Sequence, residues 1–378
     1  MLLPIYVALV VASIFYVVLP VVGGYWSRAQ WRRFRERLVQ LSLAPRLSLG
    51  AWATQRGEAT SELPGRYRLY GSMEAIEGEN RIWIRSERVT ATVDLGRSAF
   101  HILANERGSE ISGARAALVE RLPWSRVRVF PEGAKVFVGG AVRIEGGKPV
   151  FAEAPAEPLI VVSYEGTEST LLSRLIAGGR RDNEYWNPLS RVSLALGIGV
   201  MGIFLAIILR GDWFPTVIFL SLLIALTPAL PLLPPGLPLF FGYLHFWRKA
   251  LADRTIRDLL RLPLRYFVSG ESVEEDGGRS APLPEGGRYL MKELSGPPDE
   301  GVDKLVPRSR HKTERWIDFS ARDSDDPAAR HIAIAGDPEV LAAEYDRSAL
   351  WATLASGLSL AFGLTINFVI AFVLWRLV

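Results

Sequence analysis

The fold is decided by one uncharged stretch, Trp213–Trp247, which reads WFPTVIFLSLLIALTPALPLLPPGLPLFFGYLHFW. Within it only His245 is able to carry a charge. A single helix of this length would rise about 52 Å, whereas the hydrocarbon core of a bilayer is about 30 Å thick. From Pro228 onward it contains five prolines, which remove backbone donors and interrupt helices: Pro228, Pro231, Pro234, Pro235 and Pro238. We therefore predict a third transmembrane helix with a Pro-rich elbow over 213–238, and an aromatic and basic interfacial helix over 239–264.

Three further apolar segments are each long enough to cross a bilayer. The first, 1–23, has no basic residue before its apolar run, so we interpret it as a retained transmembrane helix rather than a signal peptide. The second, 165–210, and the fourth, 337–378, each begin with a capped helix, at Gly166-Thr167 and at Asp337-Pro338. The sequence therefore predicts four transmembrane helices.

Small residues within two of these helices predict where helices pack closely. In the second span they are Ala195, Gly199 and Gly202. In the fourth span they recur every four residues at Ala355, Ser359, Gly363 and Asn367. Asn367 is the only strongly polar side chain deep in a predicted span. We place the Pro-rich elbow at a membrane boundary in preference to a broken helix that lines a binding site.

The segment 24–65 contains a predicted helix, Trp26–Gln40, in which apolar residues recur at the spacing of a helical face, and a linker follows it. The pattern is typical of a helix that lies on an anionic membrane surface, although we favour the alternative of a positive-inside flank without lipid specificity. The candidate membrane-surface contacts of both interfacial helices are basic: Arg28, Arg32, Arg33, Arg35, Arg37, Arg248, Lys249, Arg254 and Arg257. Because few basic residues flank the other ends of the spans, we expect the β domains in the cytoplasm and both termini outside.

Short alternating strands separated by Gly-rich turns fill 66–164, with one helix predicted over Glu110–Leu122. This pattern favours a small β-barrel, an OB-like fold being one candidate. A second, smaller β domain is predicted over 265–335, with a mobile loop at 271–298 that is rich in Gly, Pro and acidic residues. The predicted fold class is thus an α+β membrane protein with four transmembrane helices and two tandem cytoplasmic β domains, the second truncated.

The two halves of the chain share short motifs in the same order, which indicates an internal repeat. Gly166-Thr167 with Leu171 matches Gly336-Asp337 with Leu341. A second match supplies the candidate repeat-signature residues, to which we assign a structural role: Arg66, Tyr67 and Gly71 in the first half, and Arg265, Tyr266 and Gly270 in the second. The alternative is that any chain alternating spans with basic flanks would show some of these matches.

The run AKVFVGGAVRIEGG at 134–147, the strand Pro158–Val162 and the helix into the second span together resemble a GIDE-type domain. Such domains occur in mitochondrial membrane ubiquitin ligases of the MULAN type and in bacterial proteins without the ligase part. The resemblance covers about residues 60–210, and more faintly 265–378. It implies a β fold beside a prokaryotic inner or plasma membrane. It does not imply ubiquitin transfer, because that activity needs a RING finger with Cys ligands and this chain has no Cys.

The chain has 378 residues, of which 49% are hydrophobic, a formal net charge of +4 and no cysteine. Disulfides and thiolate metal sites are therefore excluded, and the small net charge gives no reason to expect nucleic acid binding. We interpret His101 as structural and Asp323, Asp325 and Asp326 as a solvated loop rather than a Ca²⁺ site. We predict no catalytic residue, metal or cofactor.

The sequence therefore favours a non-catalytic scaffold or binding module that presents β domains at a membrane to an unidentified protein partner. Two alternatives remain open, an accessory subunit of a membrane enzyme or protease and a component of a transporter or channel.

Overall fold

The computed structural model describes residues 3–48, 65–86, 89–96, 98–103, 119–127, 132–154, 159–179, 187–268, 272–275, 278–298, 302–306 and 315–377. The chain forms two compact units. One comprises Met1–Arg32, Asp182–Arg254 and Glu344–Val378 and is helical. The other comprises Arg33–Arg181 and Thr255–Ala343 and contains two β-sheets.

The helices are α1 (Leu3–Ala12), a π-helical segment (Ser13–Val18), α2 (Leu19–Ser42), α3 (Glu168–Gly178), α4 (Pro188–Arg210), α5 (Pro215–Ala225), α6 (Leu237–Arg261) and α7 (Pro338–Leu377). Three helices are long and apolar enough to cross a membrane: Leu3–Ser42, Leu189–Arg210 and Pro338–Leu377. This indicates a membrane protein. The third predicted span is instead the apolar helix α5, which has 11 residues, followed by an irregular elbow.

The structure corrects the boundary predicted between 1–23 and 24–65. The helix Leu3–Ser42 runs through both segments without an interruption at residues 23–24. Gly23 lies within this helix and permits close packing, because a Cβ there would come within 2.5 Å of the Asn187 side-chain oxygen. Likewise α6 is one helix from Leu237 to Arg261 where 239–264 was predicted.

The packing face predicted for the second span is wrong. In α4 the face that packs against the first helix carries Ser193 and Gly197: the Ser193 hydroxyl donates to the Phe15 carbonyl at 2.5 Å. A Cβ on Gly197 would approach Tyr16 within 2.6 Å. Ala195, Gly199 and Gly202 lie on the exposed face. Phe15 belongs to the π-helical segment, where the wider turn alters the backbone hydrogen-bond pattern.

The packing seam predicted for the fourth span is confirmed in α7. A Cβ on Gly363 would lie 3.3 Å from the Leu239 side chain, and a Cβ on Gly242 would lie 3.6 Å from the Ser359 hydroxyl. The predicted start of this helix is also confirmed, because the Asp337 carboxylate accepts the Glu339 N–H at 2.8 Å.

The first sheet contains β1 (Arg66–Glu77), β2 (Arg81–Arg85), β3 (Thr90–Asp94), β4 (Ala99–Leu103), β5 (Val119–Pro123), β6 (Lys135–Glu145), β7 (Lys148–Ala152) and β8 (Ile160–Tyr164). Its order is β1-β2-β3-β7-β6-β8-β4-β5, and β1 also pairs with β6. The ring β1-β2-β3-β7-β6 is therefore a closed five-stranded barrel, from which β8, β4 and β5 extend. Ile82, Ile84, Phe100 and Phe151 are fully buried in its core.

The helix predicted over Glu110–Leu122 is wrong for its described part. Residues 119–122 belong to β5, which pairs antiparallel with β4 so that Val119 lies opposite Leu103. Val119 is buried and Glu120 exposed, as expected for a strand with one covered face. Residues 110–118 lie outside the described residues.

The second sheet contains β9 (Val273–Glu275), β10 (Gly278–Pro282), β11 (Arg288–Leu294), β12 (Asp303–Leu305), β13 (Trp316–Arg322) and β14 (Ile332–Ala335), in the order β12-β14-β13-β11-β10-β9. The mobile loop predicted over 271–298 is corrected, because its described residues form β9, β10 and β11. Gly286 and Gly287 form the tight turn between β10 and β11, where both have positive φ. Tyr289, just after that turn, is buried in the core.

The ends of the two sheets have the same local topology. In the first sheet β8 lies between β6, to which it is antiparallel, and β4, to which it is parallel. In the second, β14 lies between β13, antiparallel, and β12, parallel. Each central strand is followed by a glycine of positive φ, +96° at Gly166 and +105° at Gly336, and then by a helix. Leu171 and Leu341, in the first turns of α3 and α7, are both buried.

Candidate functional site

A fully buried arginine of the barrel binds two carboxylates of the second β domain. Arg68 in β1 has no exposed side-chain surface and donates to both oxygens of Asp326, at 2.8 and 2.7 Å. The Asp326 side chain is equally buried. A second carboxylate, on Glu285 in the β10–β11 turn, accepts from Arg68 at 2.9 Å. The two-pronged geometry with Asp326 is the strongest form of a charge-assisted hydrogen bond.

The backbone around Arg68 is held by the segment that follows α2. Its N–H donates to the Pro45 carbonyl at 3.0 Å, and its carbonyl accepts from the Leu47 N–H at 2.9 Å. Its side-chain Nε donates to the Ala44 carbonyl at 2.7 Å. The guanidinium is therefore fixed on one side by this segment and on the other by the second domain.

A second buried arginine lies beside the same loop. Arg265 follows α6 and donates to the Ala328 carbonyl at 2.6 Å, to the Ser42 hydroxyl at 3.0 Å and to the Tyr266 hydroxyl at 2.8 Å. Its guanidinium also lies 4.2 Å from the centre of the Tyr266 ring, within cation–π range. Arg68 and Arg265 thus bind two points of one short loop, at Asp326 and Ala328.

The electrostatics of the cluster keep its charges in place. Burial opposes the charge on Arg68, but the hydrogen bond to Asp326 and the nearby carboxylates outweigh it and raise the pKa of Arg68. Burial raises the pKa of Glu285, against the opposing effect of Arg68. Burial also raises the pKa of Tyr70, whose hydroxyl lies 3.5 Å from Arg68, to about 12. At neutral pH the cluster therefore contains a charged guanidinium and a neutral phenol.

This arrangement is suited to holding two domains together and not to chemistry on a substrate. Every donor of Arg68 faces an acceptor of the same chain, and the Asp326 carboxylate also accepts the Ala328 N–H at 2.9 Å. Breaking one side of such a buried pair leaves an uncompensated charge. The cluster therefore specifies how the second β domain docks on the barrel.

The predicted repeat-signature residues are not equivalent in the structure. Arg66 and Tyr67 lie in β1, with Arg66 exposed and Tyr67 buried, whereas Arg265 and Tyr266 lie in a 3-10 turn and are both buried. Gly71 lies in β1, where a Cβ would meet the Arg85 carbonyl at 2.5 Å. Gly270 lies outside the described residues.

Five of the nine predicted membrane-surface residues have partners within the chain. Arg35 binds Asp258, and Arg257 also contacts Asp258 at 3.0 Å. Arg254 donates to the Thr353 hydroxyl at 2.9 Å, and Lys249 lies 3.5 Å from the Ser348 hydroxyl. Arg28 lies 5.9 Å from the centre of the Trp247 ring. The other four are exposed and form no ion pair with the described residues: Arg32, Arg33, Arg37 and Arg248.

His101 is a buried structural residue. Its ring stacks on Phe34 with centroids 4.3 Å apart, and Nδ1 lies 3.4 Å from the Val161 carbonyl. Burial, with a smaller effect of Arg121, lowers the pKa of His101 to about 4. Among the described residues no three His, Asp or Glu side chains are grouped to hold a metal ion.

Asn367 ties the elbow to α7. Its side-chain nitrogen donates to the carbonyls of Leu230 and Leu233, at 2.5 and 3.0 Å, and its oxygen accepts the Gly236 N–H at 3.2 Å. These backbone groups belong to the Pro-interrupted segment between α5 and α6. Asn367 therefore replaces hydrogen bonds that a regular helix would make.

Sequence reasoning missed Arg68 and misassigned Asp326. Arg68 lies in the alternating run RYRLY, where nothing distinguishes it from an exposed arginine. Asp326 was grouped with Asp323 and Asp325 in a solvated loop, and the structure corrects this, because only Asp326 is buried. The two partners are 258 residues apart in the chain, so no local pattern joins them.

No family model, curated protein or solved structure matches this chain.

Proposed function

We propose that this chain is a non-catalytic membrane scaffold whose two β domains form one platform for a protein partner in the cytoplasm. The observation that carries the proposal is the buried contact of Arg68 with Asp326. Removing two charges from water is costly, and a pair of apolar side chains would hold the domains without that cost. A charged pair at this place fits a requirement for one defined arrangement of the two domains.

The outer face of the barrel supports a protein partner over nucleic acid. Three arginines on this face are each paired with a carboxylate: Arg81 with Glu145 at 3.1 Å, Arg85 with Glu74 at 2.6 Å and Arg143 with Asp94 at 3.3 Å. Nucleic acid binding needs positive charge that is not already neutralised. We therefore expect no nucleic acid partner.

We further propose a fourth, broken membrane crossing formed by α5, the elbow and the beginning of α6. Phe219 in α5 stacks on Trp375 near the end of α7, at 4.5 Å. The elbow meets Asn367, eight residues earlier in α7 and hence about 12 Å along its axis. Non-helical backbone at such depth is tolerated where protein satisfies its polar groups, as Asn367 does.

We also propose an OB-like fold and a GIDE-type relationship for the first β domain. The closed ring of five strands, in which β1 pairs with both β2 and β6, supports the OB-like assignment. The matching strand-glycine-helix junctions at Gly166 and Gly336 support an internal repeat. An experimental structure in which β1 does not pair with β6 would refute the OB-like assignment.

The proposed orientation places both β domains in the cytoplasm and both termini outside, in a prokaryotic inner or plasma membrane. The basic residues that follow the first span support it. Because the chain has no native cysteine, single cysteines report sidedness directly. An impermeant reagent outside the cell should label a cysteine at Asp212 and spare cysteines at Ser72 and Ser324. Labelling of both β domains from outside would contradict the orientation, and labelling of only one of them would contradict the fourth crossing.

The platform is tested by releasing the second domain without removing it. Asp326→Asn keeps the shape of the side chain and removes its charge, and Asp325→Asn makes the same change at a neighbouring exposed position. In cross-linking mass spectrometry of native membranes, a partner should be linked to lysines of both domains, such as Lys148 and Lys292. Asp326→Asn should lose the links to one domain, and Asp325→Asn should keep both. Partners confined to one domain and indifferent to Asp326→Asn would refute the platform.

A further inference from the structure

In the helical unit, α2 and α6 bring exposed arginines and aromatic rings together at one level along the helices. Arg28 in α2 lies 5.9 Å from the centre of the Trp247 ring in α6. Arg248 follows Trp247 directly, and Arg32 lies one turn beyond Arg28. The three arginines are exposed and form no ion pair with the described residues.

The position of this level along the first helix matches a membrane boundary. The residues Leu3–Gly24 rise about 33 Å as a helix, which covers the hydrocarbon core of about 30 Å. Tyr25 and Trp26 come next and are 77% and 56% exposed. In α7, Trp351 is also exposed, three residues after Ser348, which lies 3.5 Å from Lys249 of α6. Exposed Trp and Tyr side chains favour the headgroup region of a bilayer.

The acidic residue Asp253 of α6 is already engaged and forms no ion pair with these arginines. Asp253 accepts the Ser348 hydroxyl at 2.7 Å and is buried. Arg254, on the same helix, is committed to Thr353. Arg28, Arg32 and Arg248 therefore carry positive charge that is not used in an ion pair with the described residues.

We propose that Arg28, Arg32 and Arg248 form a binding site for the phosphate of an anionic phospholipid, with Tyr25, Trp26 and Trp247 packing beside the glycerol and upper acyl region. Guanidinium groups match phosphate oxygens with paired N–H donors. The cation–π contact holds Arg28 of α2 against Trp247, the residue that precedes Arg248 in α6. The site rests on the proposed membrane setting, but it does not depend on the docking of the two β domains.

Native mass spectrometry of the detergent-solubilised full chain tests the site, because lipid adducts are counted without any influence of membrane topology. The protein is titrated with phosphatidylglycerol, with phosphatidylcholine, and with glycerol phosphate as a soluble source of the same headgroup. We expect at least about tenfold tighter binding of phosphatidylglycerol than of phosphatidylcholine, since each basic residue near an anionic surface contributes about fivefold. Glycerol phosphate should not compete at equal concentration, because it lacks the acyl chains.

The variant Arg28→Gln/Arg32→Gln/Arg248→Gln should lose this preference. The control Arg210→Gln/Arg322→Gln/Arg376→Gln removes the same number of charges elsewhere and should retain it. Arg32→Gln alone, at an exposed position, should lower the preference about fivefold. Equal binding of both lipids by the wild type, or an unchanged preference in the triple variant, would overturn the site. Competition by glycerol phosphate would show a soluble anion site instead.

The outcome is separable from that of the platform. The cross-links between a partner and both β domains depend on Asp326, which lies outside this site. Equal binding of both lipids by the wild type, with cross-links to both β domains present, would overturn the lipid site alone.

Discussion

Replacing Arg68 by Met should release the loop that contains Asp326 while the barrel itself remains folded. The substitution removes the two hydrogen bonds to Asp326 and the one to Glu285, and leaves a carboxylate with no exposed surface and no counter-charge. Removing one partner of a buried ion pair costs about 3–5 kcal/mol. The cost falls on the docking of the second domain, because Arg68 binds it through these two carboxylates.

Hydrogen exchange of the full chain in detergent measures this cost at the loop. The Ala328 N–H donates to the Asp326 carboxylate at 2.9 Å, and the Ala329 N–H donates to the Asp326 carbonyl at 3.0 Å. A loss of about 3 kcal/mol in the free energy of local opening accelerates exchange about 150-fold at these amides. Amides in the β2–β3 pairing of the barrel should change far less.

Two further variants make the test specific. In Arg68→Met/Asp326→Asn both charges are absent. The loss in the free energy of local opening in this double variant should therefore be smaller than the sum of the losses in the two single variants, by a coupling energy of about 1–3 kcal/mol. Arg46→Met removes a partly exposed arginine that lies 3.9 Å from Glu285, and should cost no more than about 1 kcal/mol. If Arg68→Met and Arg46→Met accelerate exchange equally, the buried pair does not hold the domain.

Two other predictions concern buried polar side chains. The unfolded chain binds a proton at His101 near pH 6.5 but the folded chain only near pH 4, so stability should fall by about 3 kcal/mol as pH drops between these values and stay level above them. His101→Phe, which keeps a ring against Phe34, should flatten the dependence of unfolding on pH in that window, and an unchanged slope would show that His101 is not its source. Asn367→Leu should destabilise the solubilised protein by about 2 kcal/mol in thermal unfolding, because three backbone groups of the elbow lose their partner. Thr365→Val, at an exposed position two residues away, is the matched control, and equal melting temperatures for the two variants would contradict the role of Asn367.

The features that sequence reasoning found are those determined by nearby residues. The apolar length of three helices and the cap at Asp337 depend on about twenty residues or fewer, and the structure contains both. The strands of 271–298 were missed because composition alone favoured a loop, while burial of Tyr289 depends on strands later in the chain. The packing face of α4 was missed for a related reason: small residues occur on both faces, and only the position of Tyr16 selects Gly197.

The availability of the basic residues also depends on partners that are distant in the sequence. Counting charges after the first span gives the same value to Arg32 and to Arg35, although one is exposed and the other binds Asp258. Which arginine is available to a lipid depends on a carboxylate more than two hundred residues away. Membrane topology can be predicted from the number of basic residues, whereas a lipid-binding site can be predicted only when the ion-pair partners of those residues are known.

The second sheet explains why a docking pair is needed at all. The barrel closes because β1 pairs on both sides, which leaves few exposed backbone groups in that ring. The second sheet repeats the junction of β6, β8 and β4 as β13, β14 and β12, but its described strands end at the edges β9 and β12 without such closure. An open sheet of short strands has a small core and requires packing against another element. Arg68 and Arg265 bind the loop between β13 and β14, and so attach the open sheet beside the strands whose topology repeats that of β6, β8 and β4 in the first sheet.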